Sequence, residues 1–247
     1  MHRYKIFISI LILAMLHQKA FTISPDRLVI EEGFKISIFA KDLASPRQMA
    51  EGKNGTIFVG ERGGQILALI DSDLNGQVDS KIVIAKNLKY STGVSLFNGD
   101  LYFSEISKVW KIENIEHWIS SYNRDESLPK KILVLDDLPN DQWHGWKWLK
   151  HDQVGSLYFN VGAPCNICLS KNPQYASILK YQDGELKYVA KGVRNSVGFD
   201  FHPVSKQLYF TDNGRDWLGD DSPSCELNRV DFDGQFFGYP FKHASNV

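Results

Sequence analysis

The segment from residue 192 to residue 228 is rich in charged and amide side chains that can bind an anionic ligand. Arg194 and Asn195 lie near its start. A guanidinium is planar and permanently charged and can bind a carboxylate through two hydrogen bonds, and an adjacent amide adds a neutral donor. The segment also contains three polar motifs, D-N-G-R-D at 212–216, G-D-D at 219–221 and E-L-N at 226–228. These groups favour a ligand site in loops, and solvated turns with capping carboxylates are the alternative interpretation.

His144, in the segment D-Q-W-H-G-W at 141–146, is the candidate for proton transfer. An imidazole titrates near neutral pH and therefore suits a general base. A histidine taken alone more often has a structural role, and the position of His144 in the loop before a repeated strand is what favours catalysis. The other candidates are weaker because they are expected in a helical stretch, in a His-Pro turn or at the surface: His117, His202, His151 and His243.

A short strand pattern that occurs four times predicts the elements that position these groups. Its aliphatic positions follow one another at steps of 44, 56 and 51 residues: Ile57, Leu101, Leu157 and Leu208. Self-similarity at this period is typical of a structural array, and a four-stranded propeller blade is the β unit that fits. Propellers place function at the mouth of a central channel, so the loops next to these strands are expected to form the site.

The fold class is therefore predicted as an all-β propeller. At about 50 residues per blade, residues 23–247 make four to five blades. A further strand is expected at 33–40 and a helix at 112–122, and the block at 234–240 is interpreted as the start of another unit. Because an unclosed propeller exposes edge strands, we expect a C-terminally truncated sequence, with a complete four- or five-bladed protein as the alternative.

Residues 1–22 are predicted to be a secretory signal peptide. A basic start is followed by an apolar run of 11 residues, 6–16, which is shorter than the roughly 20 residues that span a bilayer. An uncleaved N-terminal anchor is the competing interpretation. No transmembrane span is expected after cleavage, and the protein is expected to be periplasmic or secreted. The formal net charge of −1 gives no indication of nucleic-acid binding.

The C-x-x-C motif of Cys165 and Cys168 is interpreted as a disulfide that closes a loop in an oxidising compartment. Zinc is the weaker alternative, because no second C-x-x-C or paired histidines complete a ligand set. Cys225 is left over, either free or with a partner outside this sequence. A separate D-x-D-x-N-G pattern begins at Asp71, but Ile82 stands where an EF-hand has glutamate, so a polar hairpin is favoured over weak calcium binding.

The chain resembles the glucose/sorbosone dehydrogenases, and especially the sorbosone dehydrogenase branch. These are quinoproteins that use pyrroloquinoline quinone (PQQ) on a six-bladed propeller. The resemblance covers roughly residues 30 to 247 and rests on G-x-R-N-x-x-G at 192–198, the motifs between 212 and 228, F-G-Y-P at 237–240 and the C-x-x-C loop. It implies that residues 23–247 form a partial domain of this family.

The resemblance assigns roles to individual residues. His144 matches the position of the catalytic base, and Arg194 and Asn195 match contacts to the cofactor. Backbone carbonyls at Gly214 and Arg215 fall where the family holds Ca²⁺, a hard ion that accepts carbonyl oxygen and polarises the quinone. Gly214 and Arg215 are thus both cofactor and metal candidates, and Glu226 is a further metal candidate. In the glucose dehydrogenase branch a carboxylate helps to orient the histidine, and here that position is Ala163.

The function expected from the resemblance is oxidation of an aldose or sorbosone-type sugar by hydride transfer to PQQ, with electrons passed to an external acceptor. One alternative is a calcium-dependent lactonase-type propeller hydrolase, which would need carboxylates around a central metal. Another is a non-catalytic binding propeller derived from the dehydrogenase scaffold. The channel-side groups Arg194, Asn195 and His144 favour an anionic cofactor over the hydrolase.

Overall fold

The computed structural model describes residues 25–123 and 127–244, which fall into two units, Met1–Ile38 and Phe39–Val247. The predicted leader at 1–22 lies outside the described residues. In the first unit, the part that is described contains one 3₁₀ turn, Pro25–Arg27, and no strand. The prediction of a strand at 33–40 is therefore wrong. Alternating apolar residues stabilise a strand only when a neighbouring strand satisfies its backbone groups, and Phe34 and Ile36 are exposed here.

The second unit contains four sheets arranged as propeller blades, which confirms the predicted all-β fold. The first sheet contains β1 (Pro46–Glu51), β2 (Ile57–Glu61), β3 (Gln65–Ile70) and β4 (Ser80–Ala85). The second contains β5 (Val94–Phe97), β6 (Asp100–Ser104), β7 (Val109–Ile112) and β8 (Ile132–Leu135). The third contains β9 (Leu149–His151), β10 (Leu157–Val161), β11 (Ser177–Gln182) and β12 (Glu185–Lys191). The fourth contains β13 (Phe199–Phe201), β14 (Leu208–Asp212) and β15 (Glu226–Arg229).

The repeated pattern in the sequence corresponds to the second strand of every sheet, namely β2, β6, β10 and β14. Strands pair antiparallel in sequence order within each sheet. The predicted helix is present as α1 (Ile115–Ser121), between β7 and β8. The block at 234–240 forms no further sheet in the described chain. Its strand β16 (Gln235–Phe236) instead pairs in parallel with β12 at the outer edge of the third sheet.

Neighbouring sheets pack through side chains that alternate along each strand. In β10, Leu157, Phe159 and Val161 belong to a buried cluster shared with the second sheet, whereas Tyr158 packs against the fourth sheet. Successive residues of a strand point to opposite faces, so one buried strand contributes to both interfaces. This explains why the repeated strands are almost continuously apolar rather than alternating apolar and polar.

Gln48 joins the innermost strands of three sheets. Its amide nitrogen donates to the Leu149 carbonyl at 2.6 Å, and its amide oxygen accepts from the N–H groups of Val94 and Leu149 at 3.1 and 2.9 Å. The side chain is buried, so these bonds satisfy backbone groups that no neighbouring strand reaches. The first three sheets are therefore fixed relative to one another next to the loops that carry the candidate site.

His151 is buried between the second and third sheets, contrary to the expectation that it lies at the surface. Its ring is 5.2 Å from the Phe97 ring and 4.4 Å from the Tyr102 ring, and Nδ1 lies 2.9 Å from Ser95 Oγ. Burial among these groups disfavours the imidazolium ion and lowers the pKa of His151 to about 4. His151 therefore has a structural role.

We predict that the protonation of His151 destabilises the fold as the pH falls from 6.5 to 4. Over this range the unfolded chain binds the proton and the folded chain does not, so the free energy of unfolding falls. At about 1.4 kcal/mol per pKa unit, the loss is on the order of 3 kcal/mol. Denaturant unfolding of the wild type and of His151→Gln across this range measures it. Parallel pH dependences in the two proteins would contradict the prediction.

Candidate functional site

The sequence-predicted residues lie in loops at one end of the sheets. His144 precedes β9, Arg194 and Asn195 precede β13, and Gly214 and Arg215 follow β14. In an antiparallel sheet, the connection before the first strand and the connection after the second strand lie at the same end. Hydrogen bonds between the loops of the third and fourth sheets bring His144 and Arg194 into one site.

Arg194 is the central buried cation of this site, with 3% of its surface exposed. Its Nε donates to the Asn166 carbonyl at 2.9 Å, and Nη1 donates to the Asn213 carbonyl at 3.1 Å. Nη2 donates to Asn166 Oδ1 at 2.8 Å and to Asp216 Oδ2 at 3.0 Å. These bonds compensate for burying the charge and hold the guanidinium in one orientation.

Four of the five N–H groups of the Arg194 guanidinium are therefore used within the chain. One N–H of Nη1 is left for a ligand. Arg194 can therefore donate one hydrogen bond to a carboxylate, and not the two that a free guanidinium can donate. The cofactor contact of Arg194 stays a prediction. Its demonstrated role is to join the loop at 166, the loop at 213–216 and the start of the fourth sheet.

Asp212 fixes the backbone of the same segment. Its carboxylate accepts the N–H groups of Arg194 at 2.9 Å and of Asn195 at 2.6 Å. Burial raises the pKa of Asp212 to about 7, and these two N–H donors oppose that rise. Asp212 therefore holds the backbone at Arg194 and Asn195 through a buried carboxyl group.

The imidazole of His144 has a defined orientation. Nδ1 lies 2.8 Å from the Ala163 carbonyl oxygen, which can only accept a hydrogen bond, so Nδ1 carries the proton. Nε2 is then the unprotonated nitrogen. Burial lowers the pKa of His144, the hydrogen bond to Ala163 raises it, and the Arg194 charge lowers it further. The ring is therefore neutral and basic at Nε2 near pH 7.

The backbone of Ala163 connects the His144 side chain with the backbone of Arg194. Its carbonyl accepts from His144, and its N–H donates to the Arg194 carbonyl at 2.8 Å. The absence of a carboxylate at residue 163 does not leave the histidine without a partner, because the backbone of Ala163 supplies the acceptor. His144 itself has a left-handed backbone conformation, with φ of 53°, which is uncommon for a non-glycine residue and often marks a functional position.

A cavity of about 330 Å³ is lined by Asn195 and Asn213, which are the chain neighbours of Arg194 and Gly214, whereas His144 and Arg194 themselves do not line it. This volume is within the range of small-molecule sites. Asn195 lines the cavity, and its side-chain amide makes no hydrogen bond within the described residues. The other lining residues come from all four sheets and their loops and include Arg47, Thr92, Trp146, Lys147, Trp148, Ser196 and Asn213.

The predicted calcium ligands lie at the edge of the site. No hydrogen bond to the carbonyl oxygens of Gly214 and Arg215 is present in the described chain, and Arg215 Nε is buried without a partner. Glu226 lies opposite Asp212 across β14 and β15 and accepts from Ala244 at 2.6 Å and from Asn228 at 2.9 Å. Unpaired carbonyls suit a hard cation, and unpaired donors suit an anion, so these residues fit both groups.

Cys165 and Cys168 form a disulfide, as predicted, and Cys225 is exposed and free. The loop that the disulfide closes contains Asn166, which binds Arg194 through both its backbone and its side chain. Tyr239 is buried against the same loop, and its hydroxyl accepts the Cys168 N–H at 2.9 Å. The disulfide thus limits the freedom of the segment that holds Arg194.

The acidic loop at 71–79 lies at the opposite end of the first sheet, between β3 and β4. Carboxylate oxygens of Asp71, Asp73 and Asp79 lie within 4.8 Å of one another. They accept N–H groups of the loop itself, including Gly76 at 2.8 Å and Ser72 at 2.7 Å. The acidic residues therefore have a structural role, because their hydrogen bonds stabilise a polar hairpin.

Comparison with known proteins defines the class of this chain. A family model described as TrAA12-like matches residues 28–241. The chain belongs to this family, which confirms the predicted resemblance to PQQ-dependent sugar dehydrogenases. It is also 33% identical over 228 residues to an uncharacterized protein of Borreliella burgdorferi, covering 89% of this chain and 58% of that protein. The chain thus spans less than two thirds of the length of this relative.

Solved structures show the same fold. A calcium structure of a Trichoderma reesei carbohydrate-active enzyme of family AA12 matches with a TM-score of 0.71 and 18% identity, covering 86% of this chain and 60% of the other. The holo PQQ domain of Coprinopsis cinerea pyranose dehydrogenase matches with a TM-score of 0.65 and 18% identity, covering 80% of this chain and 54% of the other. Both are propeller structures that place this chain in the same fold.

Several residues of the site were missed by sequence reasoning. The C-x-x-C motif gives no indication that Asn166 binds Arg194, and the D-N-G-R-D motif does not assign separate roles to Asp212 and Asp216. His243, expected at the surface, is buried, and its Nε2 has no partner within the described chain. Of these residues, only Asp212 could have been predicted from the sequence, because it is the last residue of a predicted buried strand. The others contact the site across long sequence separations.

Gly162 allows the third sheet to approach His144, and we predict that Gly162→Ala disturbs the site. A Cβ there would lie 2.5 Å from His144 Cβ and 2.7 Å from the His144 carbonyl oxygen. Relief of this overlap should cost about 1–3 kcal/mol of the free energy of unfolding and move the imidazole. Denaturant unfolding and the NMR titration of His144 measure both effects.

Gly198→Ala is the matched control, because a Cβ at Gly198 meets no atom within 4 Å. It should leave both the stability and the His144 titration unchanged. Equal effects of the two substitutions would contradict the packing explanation.

Proposed function

We propose that this protein is a quinoprotein dehydrogenase that oxidises a hydroxyl or aldehyde group of an aldose or sorbosone-type sugar with PQQ and Ca²⁺. The observation that supports this most strongly is the arrangement of His144. Its Nδ1 is fixed by the Ala163 carbonyl, and the Ala163 N–H binds the Arg194 carbonyl, so a base is held beside the segment that carries Arg194 and Asn195. An external acceptor would then receive the electrons.

The residues that would hold the cofactor and the metal come from two loops and the start of β15. Asn195 and the Arg215 guanidinium offer unpaired donors to the carboxylates of PQQ, and Arg194 offers its remaining N–H. The carbonyl oxygens of Gly214 and Arg215 would hold the calcium ion, with Glu226 as the nearby carboxylate. When bound, PQQ supplies an ortho-quinone that accepts hydride, and calcium polarises the quinone carbonyl as a Lewis acid.

His144 acts as the general base in this proposal. Its Nε2 takes the proton of the sugar hydroxyl, and Nδ1 keeps its own proton because the Ala163 carbonyl accepts it. The lowered pKa keeps the imidazole neutral, and hence ready to accept a proton, at physiological pH. Asp216 favours the imidazolium that forms, since its charge raises the pKa of His144.

We also propose that the protein acts outside the cytoplasm, in the periplasm or after secretion. The basic and apolar pattern of residues 1–22 supports this location, and so does the disulfide between Cys165 and Cys168. Within residues 25–123 and 127–244, no helix has the length and apolarity needed to cross a bilayer.

We predict that His144→Gln lowers dye-linked sugar oxidation in the presence of PQQ and Ca²⁺ by about 100-fold or more, since a general base contributes roughly 10²–10⁴. PQQ binding, followed by quenching of tryptophan fluorescence, should be retained. His117→Gln, an exposed histidine in α1, is the control and should keep full activity. Full activity of His144→Gln would show that another group is the base.

A further inference from the structure

Lys147 is a buried cation for which the described chain provides no carboxylate partner. Only 3% of its surface is exposed, and Nζ donates one hydrogen bond, to the Gly145 carbonyl at 2.8 Å. An ammonium group has three donors, and burial of an unpaired charge is costly. Burial lowers the pKa of Lys147 to about 7, and a nearby anion would restore the charged form.

Lys147 lines the same cavity as Asn195, and two further donors converge there. Arg47 also lines the cavity and forms no ion pair with any described carboxylate. Trp146 precedes Lys147 in the sequence and also lines the cavity. Its indole N–H is buried without a partner, and the guanidinium carbon of Arg47 lies 5.7 Å from the centre of its ring.

A further cation, Arg62, contacts Trp146, although Arg62 does not itself line the cavity. The guanidinium carbon of Arg62 lies 3.9 Å from the centre of the Trp146 ring, within the range of cation–π attraction. The described carboxylates of the site are already engaged, Asp212 by two N–H groups and Asp216 by Arg194. This wall of the cavity is therefore positive and has unused donors.

We propose that Lys147 and Arg47 bind a carboxylate group of the ligand that enters this cavity. The proposal rests on the proposed function and extends it, because neither residue belongs to the cofactor contacts assigned above. The carboxylate could be one of the three of PQQ, or it could belong to an acidic sugar such as a uronate. Both sources present the same group to an ammonium and a guanidinium.

The binding test uses benzene-1,3,5-tricarboxylate, which carries three carboxylates and no quinone, and isothermal titration calorimetry of the full chain. A charge-assisted hydrogen bond is worth about 1.5–3 kcal/mol, so Lys147→Met should weaken binding by about tenfold or more. Lys187→Met, on the outer strand β12 and paired with Glu185, should bind like the wild type. Equal affinity in Lys147→Met and wild type would overturn the proposal.

Arg47→Met provides a second variant, because Arg47 is exposed and its replacement leaves the interior packing unchanged. If a thermal unfolding scan shows that Lys147→Met does not fold, Arg47→Met still tests the proposal. A loss of affinity of about threefold or more is expected from the loss of one partly exposed charge contact. Unchanged affinity in this variant would also overturn the proposal, which requires both cations.

Two further measurements, of PQQ affinity and of the ratio of glucuronate to glucose oxidation, identify the source of the carboxylate. If it belongs to PQQ, Lys147→Met lowers PQQ affinity and leaves the ratio of glucuronate to glucose oxidation unchanged. If it belongs to the sugar, PQQ affinity is retained and the preference for glucuronate is lost. Tricarboxylate binding that depends on Lys147, without any PQQ binding, would support the anion subsite and contradict the proposed function.

Discussion

The burial of the Arg194 guanidinium is the constraint on which the rest of the site depends. Burying a guanidinium to 3% exposure is costly unless its donors are bonded, and this chain bonds four of the five N–H groups with Asn166, Asn213 and Asp216. Those partners come from two loops, and Arg194 lies in a third, so the three loops cannot move independently. Through the bond between Ala163 and the Arg194 carbonyl, the same constraint reaches His144. The disulfide and Tyr239 restrain the Asn166 loop from outside.

The orientation of His144, the proposed base, shows how a backbone group can replace a side chain. A carboxylate partner fixes the tautomer of an imidazole and also adds negative charge. The Ala163 carbonyl fixes the tautomer without the charge, so burial and the Arg194 guanidinium can keep the pKa of His144 low. Gly162 makes the contact sterically possible, because any Cβ at that position would collide with His144.

The sequence was sufficient to predict the features that depend on local pattern. The repeated strands appear as β2, β6, β10 and β14 because each is buried between two sheets and its residues must be apolar on both faces. The prediction of a strand at 33–40 was wrong because an alternating pattern of apolar and polar residues does not supply a neighbouring strand to pair with. The site residues were predicted by resemblance, but the engagement of Arg194 by Asn166 and Asp216, and the burial of Lys147, depend on contacts between sheets. No local pattern encodes those contacts.

The proposed quinoprotein function is tested by the absorption spectrum of PQQ mixed anaerobically with the full chain and Ca²⁺, recorded before and after an aldose is added. We expect PQQ to be retained with the protein on ultrafiltration, and its quinone spectrum to be replaced by that of the quinol when sugar is present. PQQ that passes through the membrane freely, or a bound quinone spectrum that no sugar changes, would show that the protein is not a PQQ-dependent sugar dehydrogenase.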